Sequence, residues 1–96
     1  MRAKCELFGN KIKATGNTYP FRIMLKNLGF KWNPQERAWE LNILGKSDDD
    51  VRKIVYELYK NGFNIGRVLL TEYFWESEWK IDVVNGHTKL ILNPKF

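Results

Sequence analysis

Apolar and polar positions alternate near the start of the chain. Ile12 and Ala14 fall on one side and Lys11 and Lys13 on the other, the pattern of a half-buried strand. Leu7 and Phe8 precede Gly9-Asn10, a pair suited to the positive φ of a two-residue turn, so a β-hairpin is expected there. The cluster Gly16-Asn17-Thr18 breaks the second strand. From Tyr19-Pro20 the period changes: Phe21, Met24, Leu25 and Leu28 follow i, i+3, i+4, i+7 spacing, and Gly29 sits where a helix ends. Arg22 and Lys26, four apart, share one flank of this helix.

Phe30-Lys31-Trp32 and Ala38-Trp39-Glu40-Leu41 read as strands around the turn Asn33-Pro34-Gln35-Glu36-Arg37, an arrangement that would set both indoles against one core. Ser47-Asp48-Asp49-Asp50 then opens a second helix. Ser47 is the cap, Asp50 stands at capping-box spacing, and three carboxylates suit the positive end of the helix dipole. Val51, Ile54, Val55 and Leu58 make its buried face, and Asn61-Gly62 stops it.

Residues 67–92 carry aromatic and β-branched residues in alternation, with Asn85-Gly86 as a hairpin signal, and read as strands throughout. The predicted fold is therefore α+β, a single domain over residues 1–96. A ββαββα core spans 1–66, and a C-terminal antiparallel β-meander forms an extension over 67–96.

Composition supports one packed core: 44% of residues are hydrophobic and 15% aromatic. A single cysteine, Cys5, excludes an internal disulfide framework, and its apolar surroundings make it a buried thiol. No apolar run is long enough to span a bilayer and no secretory signal is visible, so a cytosolic protein without membrane association is expected. The net charge of +5 is uneven. Residues 1–46 hold nine Lys/Arg against three Asp/Glu, and residues 47–96 hold seven against eight. A basic first half suits a polyanion.

Chemistry-bearing motifs are poor. Gly45-Lys46-Ser47 resembles the end of a phosphate loop, but Glu40 stands where the first glycine is needed, and three aspartates follow. Consecutive aspartates on a helix diverge by about 100° and do not converge on one metal ion. One His (His87) and one Cys assemble neither a zinc site nor a recognisable nucleophilic pair. Glu76, Glu78 and Asp82 fall on the outward side of an alternating strand, which reads as solvation. The expectation is a non-enzyme with no cofactor and no metal.

Two binding surfaces stand out. Lys11, Lys13, Arg22, Lys26, Lys31 and Arg37 surround Tyr19 and Trp32, cations interleaved with rings as a single-stranded nucleic acid requires. In that segment Phe21 and Trp39 read as core, while Tyr19 and Trp32 fit the core and a binding face equally. The alternative surface is Tyr73, Phe74, Trp75, Glu76, Glu78 and Trp79, where aromatics on both faces of a strand beside acidic residues would suit a protein partner or a homodimer.

Lys11-Ile12-Lys13-Ala14-Thr15-Gly16-Asn17-Thr18-Tyr19-Pro20, followed by Leu25-x-x-Leu28-Gly29-Phe30-Lys31-Trp32 and Asn33-Pro34-x-x-Arg37-x-Trp39, resembles a short module of phage and plasmid proteins. It is also loosely similar to the HARP domain beside the motor of annealing helicases. The likeness covers about a third of the chain, residues 11–41. It implies a DNA transaction, with single-stranded or forked DNA as ligand. The alternative is a phage-type small protein that inhibits or modulates a host machine through its aromatic and acidic C-terminal strands. The sequence contains no helicase motor, so a standalone role would differ from that family's.

Overall fold

The computed structural model describes residues 2–74 with their side chains, and 80–84 and 87–91 as backbone strands. In chain order the elements are β1 (Lys4–Phe8), β2 (Lys11–Thr15), a 3₁₀ turn (Tyr19–Phe21), α1 (Arg22–Asn27), β3 (Lys31–Asn33), β4 (Ala38–Asn42), α2 (Asp48–Lys60), β5 (Asn64–Ile65), α3 (Arg67–Phe74), β6 (Lys80–Val84) and β7 (His87–Ile91). The fold is α+β, as the sequence predicts.

Five strands form one sheet in the order β3-β4-β2-β1-β5. The β1–β2 hairpin pairs Leu7 with Ile12 around Gly9-Asn10, and Gly9 takes φ +59 at the first loop position. β5 joins β1 in parallel, whereas the other pairings are antiparallel. The registers set Cys5, Ala14, Trp39 and Trp32 in one cross-strand row and Glu6, Lys13, Glu40 and Lys31 in the next. Because side chains alternate, one sheet face is apolar and the other charged. Leu25 of α1, Val51, Val55 and Leu58 of α2, and Leu69, Leu70 and Phe74 of α3 join Cys5, Ile12, Ala14, Trp39 and Leu41 in a single buried cluster. The three helices thus contribute to the core on the apolar face.

Both longer-range helix stops were set locally. Gly29 (φ +99) donates to Lys26 O at 3.0 Å and Phe30 to Leu25 O at 2.9 Å. Gly62 (φ +92) donates to Tyr59 O at 2.9 Å and Phe63 to Leu58 O at 3.1 Å. Each is a Schellman closure that turns a buried phenylalanine, Phe30 or Phe63, back into the core. At the other end of α2, Ser47 Oγ accepts from Asp50 N at 3.1 Å, an interaction worth about 1 kcal/mol.

The C-terminal third departs from expectation. Residues 67–74 are helix α3, not strand. Leu69 to Tyr73 and Leu70 to Phe74 are i, i+4 pairs, and Leu69, Leu70 and Phe74 are buried with Tyr73 half-buried beside them. The aromatic content favours strands in isolation, but docking against β1 and α2 rewards the helical spacing. β6 and β7 pair antiparallel, with Val84 opposite His87. The expected turn Asn85-Gly86 lies outside the described residues.

Candidate functional site

The site begins where β2 ends. Gly16 turns the chain with φ +85, and Thr18 donates to Gly16 O at 2.8 Å. Thr18 O then accepts from Phe21 N at 2.9 Å, while Pro20, lacking an N–H, occupies the first turn without loss. This tight start throws the two aromatic rings of the turn apart. Phe21 goes inward, edge-on to Phe63 at 5.0 Å between centroids, and Tyr19 goes outward, 71% exposed.

Arg22 follows Tyr19 by three residues and folds back over it. Its guanidinium lies 4.0 Å from the Tyr19 ring centroid, and Nη1 donates to Tyr19 O at 2.9 Å. A planar cation held on a ring face by one hydrogen bond keeps other N–H donors for a ligand. Lys26 stands one turn further along the same flank, exposed.

The opposite wall comes from the β3–β4 hairpin. Trp32 faces Trp39 in register, with ring centroids 5.5 Å apart and planes tilted by 58°. Trp39 lies on an inner strand and is 7% exposed; Trp32 lies on the edge strand and is 46% exposed. Trp39 is therefore taken up by the core, as its sequence reading has it, while Trp32, which fitted core and binding face equally, stays half-exposed at the edge. Between the walls is a groove of about 470 Å³, lined by the 16–18 loop, Tyr19, Arg22, Lys26, Trp32 and Trp39.

Four of the eight predicted nucleic-acid-binding residues, Tyr19, Arg22, Lys26 and Trp32, meet in this groove. The other four do not. Lys11, Lys13 and Lys31 belong to the strand positions of the charged sheet face, across the sheet from Trp39. Arg37 is exposed in the β3–β4 turn, where it takes φ +50. The reason is strand alternation, which sends lysines at odd positions of β2 away from the face on which Ala14 and Trp39 lie.

Lys11 and Lys13 are also engaged by Glu40, at 3.8 Å and 3.5 Å. Partial burial, the largest single influence, pulls the Glu40 carboxyl upward, but the Asn33 hydrogen bond and the two lysines together hold it below the usual carboxylate range. Lys13 Nζ lies 5.2 Å from the Phe8 ring centroid as well.

Of the alternative surface, Tyr73 and Phe74 are described, and they lie at the end of helix α3. Phe74 is fully buried in the core and presents nothing to a partner, because it falls on the inward side of α3. Tyr73 is half-buried; burial first, then the carboxylates of Asp48 and Glu72, push its hydroxyl above the ordinary tyrosine range. Trp75, Glu76, Glu78 and Trp79 lie outside the described residues.

Sequence reasoning missed the 16–18 loop and Trp39 as parts of the groove. A Gly-Asn-Thr break directly before a Tyr-Pro helix start is a local signal for the loop. Trp39 carries no such signal, since it serves the core and the groove floor together.

Among the described residues, no group of three or more His, Cys, Asp or Glu is placed to hold a metal ion. Cys5 is fully buried, and desolvation, which outweighs a backbone hydrogen bond at Gly66, pushes its thiol up to about 12, with Glu6 adding to the rise. The neutral thiol is favoured in the fold, so the thiolate forms readily only after unfolding. A disulfide reagent at pH 8 is therefore expected to label the native protein no faster than it unfolds, and to label it at once in denaturant. Immediate labelling of native protein would contradict this burial.

No protein family, curated protein or solved structure matches the chain. No helix among the described residues is long and apolar enough to cross a membrane. The fold is that of a small α+β domain, with a groove lined by both cationic and aromatic side chains.

Proposed function

We propose that this chain is a non-enzymatic nucleic-acid-binding module whose ligand is single-stranded or forked DNA, held in the groove between Tyr19 and Trp32. The observation that carries this reading is the convergence of two exposed rings with Arg22 and Lys26 in one cleft. Phosphates would be neutralised by the cations and bases would stack on the rings, a sequence-tolerant mode of binding. The groove lies on the part of the sheet built from β3 and β4, beside the 3₁₀ turn and α1. The likeness of residues 11–41 to phage and plasmid modules supports a mobile-element DNA transaction in a host cytosol.

Fluorescence anisotropy of labelled single-stranded, forked and duplex DNA across a salt series tests the reading. Salt-sensitive binding that favours the single-stranded and forked forms is expected. Tyr19→Ala and Trp32→Ala should each weaken it by about 1–3 kcal/mol, the usual worth of a stacked base. Arg22→Glu with Lys26→Glu should bring binding close to background. Absence of binding at low salt, or full binding by the double charge reversal, would sink the proposal.

A further inference from the structure

On the strength of that nucleic-acid reading, we infer that the groove is a short site, taking one or two unpaired nucleotides and neutralising two phosphates, with the charged sheet face outside it. Size comes first. A cleft of about 470 Å³ lies toward the lower end of the ~300–1,000 Å³ typical of small-molecule sites, so its lined part takes a nucleotide-sized portion of a strand and the remainder lies outside it.

The state of the base also matters. In a duplex both faces of each base are covered by their neighbours, so neither Tyr19 nor Trp32 gains a stacking partner. An unpaired base offers a free face, and the edge position of β3 leaves Trp32 exposed enough to use it.

Few cations reach the groove. Arg22 and Lys26 line the groove, whereas Lys11 and Lys13 lie across the sheet and are drawn to Glu40. A strand seated in the groove therefore meets two of the six predicted cations. Counterion release then sets a modest salt dependence: log K against log[salt] should fall with a slope of about −1.4 for two phosphates on a single strand. Engagement of Lys11, Lys13 and Lys31 as well would steepen it to about −3.5.

The experiment is a length series of labelled thymidine oligomers, from dinucleotide to about twenty nucleotides, titrated with the intact chain at several salt concentrations. Affinity should rise up to about three nucleotides, the shortest oligomer with two internucleotide phosphates, and then grow only with the number of available registers, at the shallow slope. Lys11→Ala with Lys13→Ala should leave both length dependence and slope unchanged. Arg22→Ala with Lys26→Ala should flatten the slope toward zero. Trp32→Ala should lose about tenfold in affinity, and Trp32→Phe, which keeps a ring at the edge strand, should restore most of it.

Affinity that climbs steeply well beyond about three nucleotides, with a slope near −3.5 that the Lys11 and Lys13 changes reduce, would overturn the short site. It would leave the nucleic-acid reading standing. Failure to bind oligomers of any length would overturn that reading itself.

Discussion

Phe74→Ala is expected to cost about 3–5 kcal/mol, the usual penalty for deleting a buried aromatic ring. Folded domains hold only about 5–15 kcal/mol in total, so this one change removes a large fraction of the stability. The ring is fully buried at the end of α3, in the cluster that includes Leu69, Leu70, Val55 and Leu58. The helix end is further held by Arg52, whose Nε donates to Tyr73 O while its Nη1 reaches Asp49 Oδ1 at 2.8 Å. Val68, on the same helix but 54% exposed, supplies the control: Val68→Ala should stay within about 0.5 kcal/mol of the parent. Urea denaturation of both variants decides the matter. Equal, small losses would mean that α3 is not part of the core.

The second large effect belongs to Gly16. Its φ of +85 is a conformation that side chains resist, and a Cβ there would stand 2.4 Å from the carbonyl oxygen of Arg2. That oxygen is backbone, and the segment around it is tied down. Ala3 O accepts from Asn64 N at 2.9 Å, and Arg2 Nε donates to Gly62 O at 3.1 Å. Gly16→Ala therefore combines left-handed strain with overpacking, and about 2–5 kcal/mol is expected. Gly9 separates the two contributions. It has φ +59 with nothing within 4 Å of a built Cβ, so Gly9→Ala should show only the conformational part, about 1–2 kcal/mol. Thermal melts of the pair give the difference directly. If the two variants melt together, the close approach of Arg2 is wrong. Because the 16–18 loop lines the groove, Gly16→Ala should also weaken DNA binding at temperatures where it is still folded, whereas Gly9→Ala should not.

Position in the groove depends on the same loop chemistry that was readable in the chain. Tyr19, Pro20 and Arg22 build a turn from local rules alone. Proline removes a donor, the 3₁₀ turn splays the rings, and three-residue spacing brings the guanidinium over the tyrosine. Half of the candidate site was therefore legible before any tertiary contact was known. Lys11, Lys13 and Lys31 show where that reading stops. Their charge and their neighbours in sequence match those of Arg22 and Lys26, yet they occupy the other side of the sheet. Linear proximity says nothing about which face of a strand the helices cover.

The sequence by itself determined the punctuation and the periods. Ser47 starts α2, Gly29 and Gly62 end two helices, Gly9-Asn10 closes a hairpin, and Ile12 and Ala14 point opposite to Lys11 and Lys13. Each rests on a φ value, a cap or a repeat of two or 3.6 residues, all of which act within a few residues. The tertiary structure alone decided that Trp39 is central and Trp32 marginal, because edge and interior are properties of strand order, not of a strand. It also decided that residues 67–74 are a helix. Their aromatic side chains favour strand and their i, i+4 spacing favours helix, and burial of Leu69, Leu70 and Phe74 against β1 and α2 settles the competition.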